Sequence, residues 1–93
     1  MQDMMDGSFE VELYGQCRND TGADRPVIVS ELSNRYCRIR ERLRELKCGA
    51  KIRLWIGAIG PIESIVGKDD LNGQTIDFLA PLDPAIVHHF AAC

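Results

Sequence analysis

The sequence predicts an all-β meander or small barrel closed by one short C-terminal helix. Three observations lead there. Apolar and polar residues alternate with period two in several short stretches. Clusters of Gly, Asn, Asp and Pro separate those stretches. Asp83-Pro84 opens the last apolar segment in the manner of a helix start.

The elements follow in order. Residues 1–8, with Asp3, Asp6, Gly7 and Ser8 among methionines, show no period and are expected to be a flexible N-terminus. From Phe9 to about Arg18 the chain alternates, with Phe9, Val11 and Leu13 against Glu10, Glu12 and Tyr14, as in a half-buried strand. Asn19–Asp24 is a turn, and Pro26-Val27-Ile28-Val29 opens a second strand, so the two read as a hairpin. Residues 34–48 admit two readings. As a helix, Tyr36, Ile39, Leu43 and Leu46 share one face; as an extended segment, Arg38, Arg40, Arg42 and Arg44 share one face. Ala50–Ile56 alternates Ile52, Leu54 and Ile56 against Lys51, Arg53 and Trp55, a strand. Gly57, Gly60 and Pro61 mark a turn before the strand Ile62–Lys68. Asn72-Gly73 is a strong hairpin signal, and Gln74–Leu79 is its return strand with Ile76 and Phe78 on one face. The helix Pro84–Ala92 then offers Ile86, Val87 and Phe90 to the core.

Composition narrows the function. Ninety-three residues, 45% of them hydrophobic, suffice for one core, so residues 9–93 are expected to form a single domain. A net charge of −3 gives no global reason to expect a nucleic-acid or anionic-membrane partner. No apolar run approaches the roughly 18–20 residues of a membrane span. The start MQDMMDGSFE has neither a basic nor an apolar leader region, so no signal peptide is expected and the expected compartment is the cytoplasm. Cys17, Cys37, Cys48 and Cys93 have no C-x-x-C spacing and are expected to be free thiols, buried or half-buried.

Catalytic signatures are missing. His88-His89 point about 100° apart on a helix and cannot share a metal as an i, i+4 pair can. Neither Ser30 nor Ser33 lies in a nucleophile elbow, and the glycines form no phosphate loop. No enzyme, metal or cofactor is expected. The most informative set is Arg35, Arg38, Arg40, Arg42 and Arg44, within ten positions. Arginine forks match phosphate and the guanine edge, while interspersed Glu41 and Glu45 also suit a solvated face.

The run LKCGAKIRLWIGAIGPIESIVGKDDLNGQTIDFLAPLDPAIVHHF resembles the end of a PilZ domain. A strand follows Gly49, a second follows Gly60-Pro61, and a third ends at Phe78 before Leu82-Asp83-Pro84. Val27–Ser33 followed by Cys37–Arg40 resembles the family's second and third strands, so the likeness spans about residues 9–91. It implies a six-stranded antiparallel barrel with a C-terminal helix, and it favours a strand at residues 36–40. Many members are bacterial receptors for cyclic di-GMP, bound through R-x-x-x-R before the first strand and D/N-x-S-x-x-G at the end of the second. Glu31-Leu32-Ser33-Asn34-Arg35-Tyr36 stands at the second motif, with Glu31 for the aspartate or asparagine and Tyr36 for the glycine. No arginine or lysine precedes Arg18, so the first motif is absent.

The resemblance therefore implies a signalling or adaptor domain with a degenerate nucleotide site, acting through contact with an unidentified protein partner. The alternative is a working cyclic di-GMP receptor that uses substituted arginines such as Arg18, Arg35 or Arg38. The candidate ligand residues are Glu31, Ser33, Arg35 and Arg38.

Overall fold

The computed structural model describes residues 8–43, 45–71 and 73–91, with the backbone only at position 70. The expected flexibility of residues 1–8 falls outside this range except at Ser8, and Arg44 and Cys93 also lie outside it. Six strands run β1 (Phe9–Arg18), β2 (Asp24–Leu32), β3 (Tyr36–Ile39), β4 (Lys51–Ile56), β5 (Ile59–Asp70) and β6 (Gly73–Phe78), followed by helix α1 (Pro84–Ala91). They close into an antiparallel barrel in the order β1-β2-β3-β6-β5-β4. The fold is the all-β barrel with one short C-terminal helix that the sequence predicts.

The barrel consists of two three-stranded meanders, β1-β2-β3 and β4-β5-β6, joined at two seams. One seam pairs Tyr36–Ile39 with Asp77–Gln74, and the other pairs Gly15–Arg18 with Ile56–Arg53. Closure leaves no continuous sheet edge exposed. Inward positions at period two fill the interior: Val27, Val29 and Leu32 from β2, Cys37 and Ile39 from β3, and Ile52, Leu54 and Ile56 from β4. Ile62 and Val66 from β5, Ile76 and Phe78 from β6, Cys17 from β1, Leu43 from the β3–β4 connection and Val87 from α1 complete it.

The turns explain where strands stop. At the β1–β2 turn, Asn19 Oδ1 accepts from the Thr21 and Ala23 amides and from the Thr21 hydroxyl, so one side chain satisfies most of the loop. Pro26 lies inside β2 rather than at its start, paired with Gln16. Gly60-Pro61 is not a turn. The β4–β5 connection is Gly57-Ala58, and β5 already begins at Ile59. Glycine is required at position 60 for another reason: φ is +148°, and a Cβ would meet Trp55 Cδ1 at 2.6 Å and the Leu54 carbonyl at 2.9 Å. Gly73 opens β6 at φ +122°, where a Cβ would lie 1.9 Å from the Ile39 carbonyl oxygen.

Neither full reading of residues 34–48 survives. The helix is absent among the described residues of this segment. β3 ends at Ile39, and the chain then folds irregularly across one end of the barrel. Arg40 N–H still donates to the Ile28 carbonyl at 2.9 Å; one residue later a side chain takes over, and Glu41 Oε1 accepts from Ile28 N–H at 2.9 Å. Leu43 enters the core at 1% exposure. Its N–H donates to Gln74 Oε1 at 2.6 Å, while Gln74 Nε2 donates to the Gly67 carbonyl at 3.1 Å. The buried Gln74 amide thus ties this end segment to both strands of the β5–β6 hairpin.

Helix α1 starts as the sequence predicts. Asp83 Oδ1 accepts from Ala85 N–H at 2.9 Å, an N-cap, and Pro84 takes the first helical position. Val87 is buried and Ile86 and Phe90 are half-buried. His88 and His89 are exposed, with the His88 ring edge-on to Phe9 at 6.0 Å. No helix is long and apolar enough to cross a membrane among the described residues.

Candidate functional site

The β2–β3 hairpin carries the four residues singled out from the sequence, but it does not bring them together. Leu32 and Cys37 are register partners, and the intervening turn is organised by Ser33. Its hydroxyl accepts from the Arg35 and Tyr36 amides, each at 3.2 Å, and lies 3.2 Å from the Tyr36 carbonyl, to which it donates. Ser33 N–H also donates to Tyr36 O at 2.9 Å. At 2% exposure, this serine is a turn residue whose hydrogen-bonding capacity is already used. Arg35 is exposed at the turn, and its carbonyl accepts from Phe78 N–H at 2.9 Å. Tyr36 begins β3 without backbone strain, since no described non-glycine residue has positive φ.

Glu31 and Arg38 are different. They are direct cross-strand partners on the outer face, and Arg38 Nε donates to Glu31 Oε1 at 3.2 Å. Their side chains are 29% and 23% exposed, so the pair is partly sheltered from solvent. The other Glu31 oxygen accepts the Ser8 hydroxyl. Beside them Ser30 Oγ donates to the Arg38 carbonyl at 3.3 Å, and Arg40 Nη2 lies 3.7 Å from Glu12 Oε1. Glu10, Ser30, Glu31, Arg38 and Arg40 line an open depression of about 440 Å³.

The depression holds two of the predicted residues and adds Glu10, Ser30 and Arg40. Arg40 was legible as the next outward position after Arg38. Glu10 and Ser30 carry no sequence signal, because only the β1–β2 and β2–β3 registers bring them beside Glu31. Ser33 and Arg35 do not line the depression. Arg18 lies at the opposite end of the barrel, paired with Asp24 at the start of β2, roughly 26 Å from the Leu32 end at ~3.3 Å per residue. Arg42 lies outside the depression and lines another, with Leu43, Leu46, Cys48 and Lys68. The extended-face grouping of four arginines therefore holds only for Arg38 and Arg40 among the described residues.

The lining carries two carboxylates and two guanidiniums; Arg38 is paired with Glu31 within it, and Arg40 faces Glu12 outside it. A polar ligand entering here would compete with Glu31 for Arg38.

Neither buried thiol is an activated nucleophile. Burial pushes the Cys17 thiol up to about 11, and burial drives Cys37 in the same direction. Cys17, Cys37 and Cys48 are all unbridged, and Cys48 is exposed, contrary to the expectation of burial. No group of three or more His, Cys, Asp or Glu side chains among the described residues could hold a metal ion.

No family model matches the chain, and no curated protein is significantly similar to it.

Proposed function

We propose that this chain is a cytoplasmic PilZ-like signalling domain of the cyclic di-GMP receptor type, with a degenerate nucleotide site, that acts as an adaptor through protein contact rather than as an enzyme. The closed six-stranded barrel with its terminal helix agrees with that reading. The observation that carries the degenerate site is the pairing at the hairpin. Arg38 is engaged by Glu31 across the strands, and the Ser33 hydroxyl is taken up by its own turn.

Cyclic di-GMP presents two phosphates and two guanines. In the family, arginines before the first strand supply forks and stacking surfaces, and residues 1–8 contain none. A charge-assisted hydrogen bond contributes about 1.5–3 kcal/mol. Losing two of them removes roughly 3–6 kcal/mol, or two to four decades of affinity. A micromolar site becomes millimolar or weaker.

Isothermal titration at low salt tests this. No binding is expected at micromolar nucleotide. A dissociation constant below about 10 μM, or about −7 kcal/mol, would replace the adaptor reading with that of a working receptor. Arg35→Ala and Arg38→Ala would then identify the arginines that took over.

A further inference from the structure

We propose a second, oxyanion-binding site at the far end of the barrel, formed by Arg18, Lys51 and Arg53 and suited to a phosphate group. The β1–β4 seam makes Arg18 and Arg53 direct cross-strand partners, and strand alternation puts Lys51 on the same outward face. Like charges placed directly opposite each other disfavour pairing; Asp24 and Glu63 offset part of that repulsion, and an anion between the two arginines would offset more. The three cations line an open depression of about 440 Å³, together with Asn19, Asp20 and Glu63.

Each arginine is steadied by a carboxylate without being exhausted. Arg18 gives Nε and Nη2 to Asp24 at 2.7 and 3.2 Å, and Arg53 gives Nε to Glu63 at 3.0 Å. A guanidinium has five N–H donors, so donors remain on both. The Lys51 ammonium has no hydrogen bond or ion pair among the described residues. The lining sets three cations against two carboxylates, Asp20 and Glu63, with Asp24 held on Arg18 just outside it. Phosphate, with several acceptor oxygens, can take a fork from each arginine and the lysine ammonium together. Arg18 sits over the Trp55 ring, 5.1 Å from its centroid.

Trp55 is the only tryptophan and reports on the site through Arg18. The test titrates the whole chain with inorganic pyrophosphate, followed by Trp55 emission and by calorimetry, against potassium chloride at matched ionic strength. Saturable binding at millimolar concentration or tighter is expected, weakened at least fivefold in Lys51→Gln and in Arg53→Gln. Both side chains are exposed, and thermal melts establish that the variants remain folded. A response that is linear, that chloride reproduces, or that both variants retain overturns the proposal. Arg38→Ala, at the opposite end, should leave pyrophosphate binding unchanged whatever cyclic di-GMP does. Weakening to the extent seen with Lys51→Gln would overturn the assignment to this end.

Discussion

Replacing Gln74 with methionine keeps the side-chain volume and removes the amide. Gln74 is 5% exposed, and its two hydrogen bonds run to Leu43 N–H and to the Gly67 carbonyl, both in buried residues. The substitution leaves a donor and an acceptor without partners inside the protein. Each orphaned buried group costs about 1–3 kcal/mol, so the pair costs about 2–6 kcal/mol. A domain of this length has about 5–14 kcal/mol in total, which makes the loss a large fraction of its stability. Urea unfolding followed by far-UV circular dichroism should show a lower midpoint with an unchanged slope. At about 4–8 °C per kcal/mol, the melting temperature should fall by at least about 8 °C. Amide exchange at Leu43 should accelerate more than the global loss requires, because the end segment opens first. A destabilisation under about 0.5 kcal/mol would refute the reasoning. It would mean that the segment around Leu43 is held by apolar burial alone.

Three further outcomes follow from the same geometry. Glu41→Ala removes the acceptor for Ile28 N–H and should cost about 1 kcal/mol, with exchange at the Ile28 amide rising in nuclear magnetic resonance. Gly73→Ala forces a Cβ against the Ile39 carbonyl at a positive φ and should break the β3–β6 seam; a variant with a native melting curve would contradict this. The Cys17 thiol rises from its ordinary value near 9 to about 11 on folding. The unfolded chain therefore loses its proton first, and stability should fall as pH climbs from 9 to 11, by up to about 1.4 kcal/mol per unit. Cys17→Ala should reduce the slope of that limb of a denaturation series by about half, because burial pushes the Cys37 thiol up as well and its contribution remains.

Much of the fold was legible because its strands bury one face only. Ile52, Leu54 and Ile56 alternate against Lys51, Arg53 and Trp55, and no other period fits them. The same holds for Asp83 as a cap, which is a local hydrogen bond. The errors lie where long-range contacts decide. Gly60 and Pro61 look like a turn, but the glycine is there to admit the Trp55 ring inside a strand. Residues 34–48 satisfy a helical period because Leu43 and Leu46 both turn inward after the strand residue Ile39, yet the Gln74 amide and the Ile28 backbone determine the path beyond β3. Those partners are 31 and 13 residues from the positions they bind, beyond any local window. At the candidate site, Glu31 and Arg38 were recoverable as neighbours across a hairpin. The role of Ser33 was not, since a serine hydroxyl that ligates and one that closes a turn have the same sequence signature.

The two seams that close the barrel have a consequence for how the chain reaches its native state. Arg18 and Arg53 are separated by 35 residues, as are Ile39 and Gln74; Gly15 and Ile56 are separated by 41, as are Tyr36 and Asp77. Loop-closure entropy depends on that separation, so neither seam has an entropic lead over the other. The hairpins within each meander need only local turns and can form early. Neither meander can hide its inner face alone, and whichever seam docks first brings the second pair of strands within reach. The search therefore ends in one concerted zipping step with two equivalent entrances. Slowing one entrance, as with a substitution at Gln16 or Arg38, should redirect molecules through the other and leave the overall folding rate nearly constant. Only damage to both seams should slow it steeply.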